Sequence, residues 1–145
     1  MKEKNELLLH VYKDSDMSVT TLTELLEDLK EKDNKIKSVV EDLLKEYQSF
    51  LNRSKECLEK ENIPLETEGI MTKMMANMGI SKEVKSDNSD ASIADMLIKG
   101  ISMGSIDMEK KIGDYKKEVE KKDLKVAKEF LKFQQKAIDK LKKFL

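Results

Sequence analysis

Residues 61–89 read ENIPLETEGIMTKMMANMGISKEVKSDNS, and this stretch decides how the rest of the chain is organised. It contains the only proline, Pro64, and four of the nine methionines, between two segments whose apolar residues recur at helical spacing. Proline cannot continue a helix, and the polar residues from Lys85 to Asp90 are typical of a solvated loop. We therefore predict a long connection over residues 62–89 that joins two helical hairpins.

Apolar residues at three- and four-residue steps predict four helices in a single domain that covers residues 1–145. The predicted helices cover about residues 3–31, 33–61, 90–119 and 123–145. The expected N-cap residues are Asp33 for the second helix, Ser89 or Ser92 for the third, and Asp123 for the fourth.

The boundary between the first two helices is weakly marked, because neither glycine nor proline separates them. Five apolar residues keep a seven-residue spacing across it, as in a coiled coil: Leu22, Leu29, Ile36, Leu43 and Phe50. One long helix in place of the first hairpin is therefore an alternative.

Two hairpins joined by a long crossover are the connectivity of a ferritin-like four-helix bundle, and this all-α fold is our prediction. Such bundles often hold two metal ions between glutamates and Glu-x-x-His motifs. His10 is the only histidine, so no such motif exists, and helical phases leave Ser15 and Gln134 as the interior polar side chains. We expect no di-iron site, no cofactor and no catalytic residue. A carboxylate metal or ion site, built from surface acids or across a dimer, is an alternative.

His10 falls opposite the apolar stripe of the first helix, and we expect it to be exposed. The segment His10-Val-Tyr-Lys13-Asp-Ser15 resembles the His-x-x-Lys-Gly-Ser segment of histidine phosphotransfer domains. The resemblance implies that His10 is a phospho-acceptor and that Lys13 offsets the phosphate charge. Asp14 replaces the glycine of that pattern and adds a repelling charge.

Four methionines in the connection are spaced like one face of two helical turns: Met71, Met74, Met75 and Met78. Methionine fills irregular gaps and adapts to partners, so this segment is a candidate surface for a protein partner or for a second copy of the chain. Gly100 and Gly104, four residues apart near the apolar stripe of the third helix, predict close packing of a neighbouring helix.

Charged residues form 39% of the chain and apolar residues another 39%, which is typical of long amphipathic helices. The net charge is −1, yet residues 121–145 hold nine basic and three acidic residues. Their net charge of +6 suggests contact with an acidic partner or an anionic surface. A single arginine, Arg53, argues against nucleic-acid readout. One cysteine, no signal peptide and no transmembrane segment predict a cytoplasmic protein.

The second half of the chain carries a wider resemblance. Gly100-Ile-Ser-Met103-Gly104 followed by the lysine-rich residues 127–145 resembles a group of small bacterial four-helix proteins that are ferritin-like in arrangement. The resemblance implies the fold and implies no activity. From the residues themselves we expect a non-enzymatic binding or self-association module, for example a homodimer.

Overall fold

The computed structural model describes residues 2–65 and 89–145, and over these residues it shows four α-helices and no strand. Helix α1 spans Lys2–Leu29, α2 spans Lys37–Lys60, α3 spans Asp90–Tyr115 and α4 spans Lys121–Lys142. The all-α prediction is therefore confirmed. The alternative of one long first helix is wrong, because residues 30–36 form a turn and α2 packs back along α1.

The direction of each helix follows from contacts at the two ends of the bundle. The start of α3 lies beside the α1–α2 turn, where Asn34 donates a hydrogen bond to Asp90 over 2.9 Å. The end of α3 lies beside the start of α1, where Lys111 pairs with Glu6 at 3.5 Å. The start of α4 lies beside Glu61, at the end of α2. Helices α1 and α4 therefore run one way, and α2 and α3 run the other way.

Each helix packs against two neighbours around the bundle, in the order α1, α2, α4, α3. Helices α1 and α4 also touch across the middle, whereas the described residues of α2 and α3 do not meet. The inner faces of α2 and α4 follow the predicted stripes at three- and four-residue steps. Their buried apolar residues are Val40, Leu43, Tyr47, Phe50 and Leu58 on α2, and Val126, Ala127, Phe130, Ala137 and Leu141 on α4.

Helix α1 is buried on more of its circumference than a helix that packs through a single face. No side chain from residue 5 to residue 22 is exposed, because α1 contacts all three other helices. The predicted stripe through Leu8, Val11, Ser15 and Leu22 is buried, but the opposite face of α1 is covered as well. A single amphipathic stripe therefore understates the contacts of this helix.

The N-terminus of α2 is capped from another helix. The N-cap position is Ile36, which has no side chain that could cap, so the prediction of Asp33 is wrong. Instead the Asp90 carboxylate accepts hydrogen bonds from the backbone N–H groups of Lys35 at 3.2 Å and Ile36 at 3.4 Å. A carboxylate satisfies the free N–H groups of a helix start and complements its dipole.

The other two N-caps are local. Ser89 caps α3, with its hydroxyl accepting from the Ser92 backbone N–H over 3.1 Å, so of the two expected serines Ser89 is the cap. Helix α4 is preceded by Glu120 as its N-cap residue. The prediction of Asp123 as the α4 cap is therefore wrong, since Asp123 lies in the first turn and is buried.

We predict that Asp90→Ala lowers the free energy of unfolding by about 1–2 kcal/mol, because it removes the cap of α2 and its tie to α3. Asp95→Ala is the matched control, since Asp95 lies on the same helix and forms an exposed ion pair with Lys99. This replacement should change the free energy of unfolding by less than about 0.5 kcal/mol. Urea unfolding measures both variants. Equal stabilities of the two variants would contradict the capping role.

Candidate functional site

A polar cluster lies at the middle of the bundle, with side chains from α1, α2 and α4 that meet beside the backbone of α3. Gln134 on α4 donates hydrogen bonds through Nε2 to Asp14 Oδ2 on α1 over 3.0 Å and to the Tyr47 hydroxyl on α2 over 3.2 Å. Ser18 donates to Asp14 Oδ1 over 3.1 Å. Gly104 on α3 faces Asp14 and Gln134. We call Asp14, Ser18, Tyr47 and Gln134 the central polar cluster.

His10 joins this cluster from one turn before Asp14. Its Nε2 lies 3.7 Å from Asp14 Oδ2, and its ring meets Phe130 edge-on, with centroids 6.4 Å apart. The His10 side chain is 11% exposed, so the expectation of an exposed histidine is wrong. The reason is that α4 and α3 cover the face of α1 opposite its apolar stripe.

Burial sets the electrostatics of the cluster. It lowers the pKa of His10, an effect that Asp14 partly offsets and Lys111 reinforces. Burial also raises the pKa of the Asp14 carboxyl against the opposing effects of His10, Gln134 and Ser18. The pKa of Tyr47 is raised by burial and by the Asp14 charge. Low-dielectric surroundings thus favour the neutral form of each group.

The two glycines of α3 differ in their surroundings. A Cβ on Gly104 would collide with Asp14 Oδ2 and come within 3.1 Å of Gln134 Nε2, so glycine lets these side chains approach the α3 backbone. At Gly100 no described atom lies within 4 Å of an added Cβ. Close helix packing at Gly100 stays a prediction.

A pocket of about 310 Å³ opens between α1 and α3, beside Gly100. Its inner end is lined by Asp14, Ser18 and Tyr47, which belong to the central polar cluster. Its remaining lining consists of Met17, Thr21, Leu22, Met96, Leu97, Gly100 and Ile101. We call this cavity the α1–α3 pocket; it leads from the surface to the central polar cluster.

A larger depression of about 690 Å³ lies on another face, between α2 and α4. We call it the α2–α4 groove. The apolar part of its lining is Val39, Leu43, Phe50, Phe133 and Ala137, and the basic part is Lys45, Arg53, Lys132, Lys136 and Lys140. Three acids, Asp42, Glu46 and Glu129, complete the lining.

Aromatic rings pack against one another at the floor of this groove. The Phe50 and Phe133 rings stack with centroids 5.4 Å apart, and Tyr47 meets Phe133 edge-on at 4.9 Å. Arg53 lies 5.2 Å from the Phe50 ring centroid and pairs with Glu129 at 2.6 Å. Such aromatic pairs add specific geometry to area burial.

Three acidic side chains approach one another at the end of the bundle where α2 stops and α4 starts. Ligand oxygens of Glu61, Glu120 and Asp123 lie within 4.8 Å of one another. It is the only group of three or more metal-ligating side chains at this distance among residues 2–65 and 89–145. Glutamate and aspartate oxygens suit hard cations such as Ca²⁺.

The predicted interior polar residues Ser15 and Gln134 are both fully buried. Sequence reasoning missed three further buried polar residues, Ser54, Ser105 and Asp123. The Ser54 and Ser105 hydroxyls donate to backbone carbonyls of the preceding turn, as serines within helices commonly do.

Of the other predicted site residues, Lys13 is half-buried. The methionine surface of Met71, Met74, Met75 and Met78 lies outside the described residues.

No protein family, curated protein or solved structure matches this chain. Among the described helices, none combines the length and the apolar character that crossing a membrane requires. The candidate sites of this protein are the α1–α3 pocket, the α2–α4 groove and the central polar cluster.

Replacing either of the two α3 glycines by alanine should change the free energy of unfolding, with opposite signs at the two positions. Gly100→Ala should raise the free energy of unfolding by up to about 1 kcal/mol, since alanine favours the helix and meets open space. Gly104→Ala should lower it by about 1–2 kcal/mol, because the gain in helix propensity is smaller than the cost of displacing Asp14 and Gln134. Urea unfolding of both variants measures this contrast, and two changes of the same sign would contradict it.

His10 yields a pH prediction. The pKa of His10 is lower in the folded chain than its unfolded value of about 6.5, so on acidification the unfolded state binds the proton first and stability falls. His10→Gln removes this loss. The pKa of Asp14 is raised in the folded chain, so Asp14 has the opposite effect: its ionisation destabilises the folded state as the pH rises. We therefore expect a smaller stability loss from about pH 7.5 to about pH 5 in His10→Gln than in the wild type.

The NMR signal of the imidazole checks the same point directly, because the chain has one histidine. The midpoint of its titration should lie below about 6.5. A midpoint at or above that value would show that the ring is solvated or paired with an ionised carboxylate.

Proposed function

We propose that this protein is a non-enzymatic binding module and that the α2–α4 groove holds an acidic amphipathic helix of a protein partner. The observation that carries the proposal is the combination of an aromatic floor with a rim of lysines in one open groove. Amphipathic helices bind in such grooves by inserting apolar side chains at i, i+3, i+4 and i+7.

Packing supports a helical occupant. At the groove floor α2 and α4 meet through their rings, where Phe50 of α2 stacks on Phe133 of α4, and the groove is open above these rings. The groove runs from the level of Val39 and Lys140 to the level of Arg53 and Glu129. On α2 this is a stretch of 15 residues, about 21 Å at 1.5 Å per residue, which matches an occupant of about four helical turns.

Charge supports an acidic occupant. Five basic side chains line the groove against three acidic ones, and one of those acids, Glu129, is already paired with Arg53. The three lysines on α4, Lys132, Lys136 and Lys140, follow one another at four-residue steps and form one edge. An acidic helix would be steered to this edge and oriented by it.

The helix order supports a ferritin-like arrangement, which we propose as the finer description of the bundle. Two antiparallel hairpins lie side by side, and α2 ends at the opposite end of the bundle from the start of α3. This placement of the end of α2 and the start of α3 is that of bundles with one long crossover.

Phosphotransfer through His10 is less well supported by the geometry. A phospho-acceptor imidazole must present a nitrogen to a donor protein, whereas His10 is nearly enclosed, with Nε2 turned toward Asp14. Asp14 would also repel a phosphoryl group at this nitrogen. An acetyl phosphate experiment that labels the wild type and not His10→Gln would establish the function all the same.

The carboxylate alternative maps to Glu61, Glu120 and Asp123. Exposed acidic groups are common in proteins without a bound ion, so this cluster alone does not favour an ion-binding function over the groove.

Self-association would use the same groove or the outer face of α3, where Met103 is 70% and Ile106 is 51% exposed.

The test uses a synthetic acidic helix of about sixteen residues, with leucines at i, i+3, i+4 and i+7 and glutamates between them. A scrambled peptide of the same composition serves as the control. We expect the patterned peptide to bind the wild type at least about tenfold more tightly than the scrambled peptide, because only the patterned one presents a continuous apolar face. Fluorescence anisotropy measures both. Equal affinities overturn the proposal.

A matched pair of variants locates the site. Lys132→Glu with Lys136→Glu should weaken the patterned peptide by about tenfold or more, because it reverses the charge of the groove edge. Lys125→Glu with Lys128→Glu, two exposed lysines of α4 outside the groove lining, should change it by less than about threefold. Equal effects of the two pairs would mean a non-specific attraction to α4 and would overturn the groove assignment.

Sedimentation distinguishes a heterologous partner from a second copy. A wild type that stays monomeric at high concentration agrees with a heterologous partner. A mass that rises with concentration, and does so no longer in Lys132→Glu with Lys136→Glu, assigns the groove to self-association and overturns the acidic partner helix.

A further inference from the structure

The α1–α3 pocket reaches Asp14, a carboxyl whose charged form burial disfavours in the absence of a cation. The Asp14 side chain is 20% exposed, and it accepts hydrogen bonds from two neutral donors, Gln134 and Ser18. Its one ion-pair neighbour among the described residues is His10, at 3.7 Å. Burial lowers the pKa of that histidine, so the imidazole is a weak source of positive charge.

A carboxylate in such a position is costly unless a cation joins it. Burying an ionised group without a partner is strongly unfavourable, so buried charges are normally paired. The pocket gives a cation access to Asp14 from the surface, because Asp14, Ser18 and Tyr47 all belong to its lining. An ammonium group has three donors for these acceptors.

The lining of the pocket indicates the chemistry of the rest of the ligand. Leu22, Leu97 and Ile101 provide an apolar lining, and Met17 and Met96 add flexible thioethers on opposite helices. Methionine adapts to varied apolar shapes. The volume of about 310 Å³ is at the lower end of the range for small-molecule sites. Gly100 keeps the wall open, since it adds no side chain to the lining.

We propose that the α1–α3 pocket binds a small apolar amine, with its ammonium group on the Asp14 carboxylate and its hydrocarbon part between Met17 and Met96. The charge of the inner end complements the amine, and the apolar walls complement its tail. The site lies on a different face from the α2–α4 groove, so this inference stands whether or not the groove binds a helix.

Isothermal titration calorimetry at about pH 7 tests this with n-octylamine, which is an ammonium ion at that pH. n-Octanol and octanoate are the matched ligands, with the same tail and a neutral or negative head. We expect the wild type to bind the amine at least about tenfold more tightly than the alcohol, and octanoate more weakly still. Shortening the amine from eight to four carbons should weaken it by about three- to fourfold per methylene.

Two variants assign the binding to named atoms. Asp14→Asn keeps an acceptor for Gln134 and Ser18, and it should bring the amine to the affinity of the alcohol. Gly100→Leu places a side chain in the pocket without meeting a described atom at its Cβ, and it should weaken both ligands by about tenfold or more. Asp95→Asn, an exposed carboxylate elsewhere on α3, should leave all affinities within about twofold.

The outcomes are decisive in both directions. Equal affinities for amine and alcohol in the wild type overturn the assignment of the ammonium to Asp14, as does an amine affinity that Asp14→Asn leaves unchanged. Wild-type affinity in Gly100→Leu shows that the ligand binds elsewhere and overturns the pocket. Because circular dichroism can verify the fold of each variant, a loss of binding through unfolding is distinguishable from a loss of the site.

Discussion

The hydrogen bonds of Gln134 to Asp14 and Tyr47 are the interaction around which the bundle is arranged. They join three helices at mid-height, and Gly104 supplies the fourth by letting both side chains reach its backbone. A buried polar network of this kind fixes the register of the helices, because a shift of one turn would leave its members unpaired in a low-dielectric interior. The apolar faces alone would tolerate several such registers, since hydrophobic burial is non-directional.

Both candidate binding sites are extensions of this arrangement. The α1–α3 pocket reaches the Asp14 carboxyl and the Tyr47 hydroxyl, while the Tyr47 ring packs edge-on against Phe133 in the α2–α4 groove. Tyr47 therefore lines one site and supports an aromatic ring that lines the other. This use is typical of tyrosine, which combines an apolar ring with a hydroxyl that needs a partner when buried.

Helix α1 is the element whose surroundings differ most from those that its apolar stripe predicts. Its stripe through Leu8, Val11 and Leu22 was predicted correctly, and the same stripe placed His10 in solvent. That inference failed because α1 has neighbours on more than one face, whereas a stripe analysis assumes one. Asp14 was read as a departure from a phosphotransfer motif, and its pairing with Gln134, 120 residues away, has no local signal. The replacement of Asp33 by Asp90 as the cap of α2 is equally non-local.

The sequence by itself determined the all-helical class, the four periodic segments, the buried polar positions Ser15 and Gln134 and the absence of any Glu-x-x-His motif. These follow from residue identity and from the 3.6-residue repeat, which are properties of a single segment. Only the tertiary structure decided that His10 and Asp14 are inside, that Asp14 and Gln134 approach Gly104 closely, and that lysines of α4 line a groove with α2. Each of these depends on which second and third helix covers a given face, and that choice is a property of the whole packed bundle.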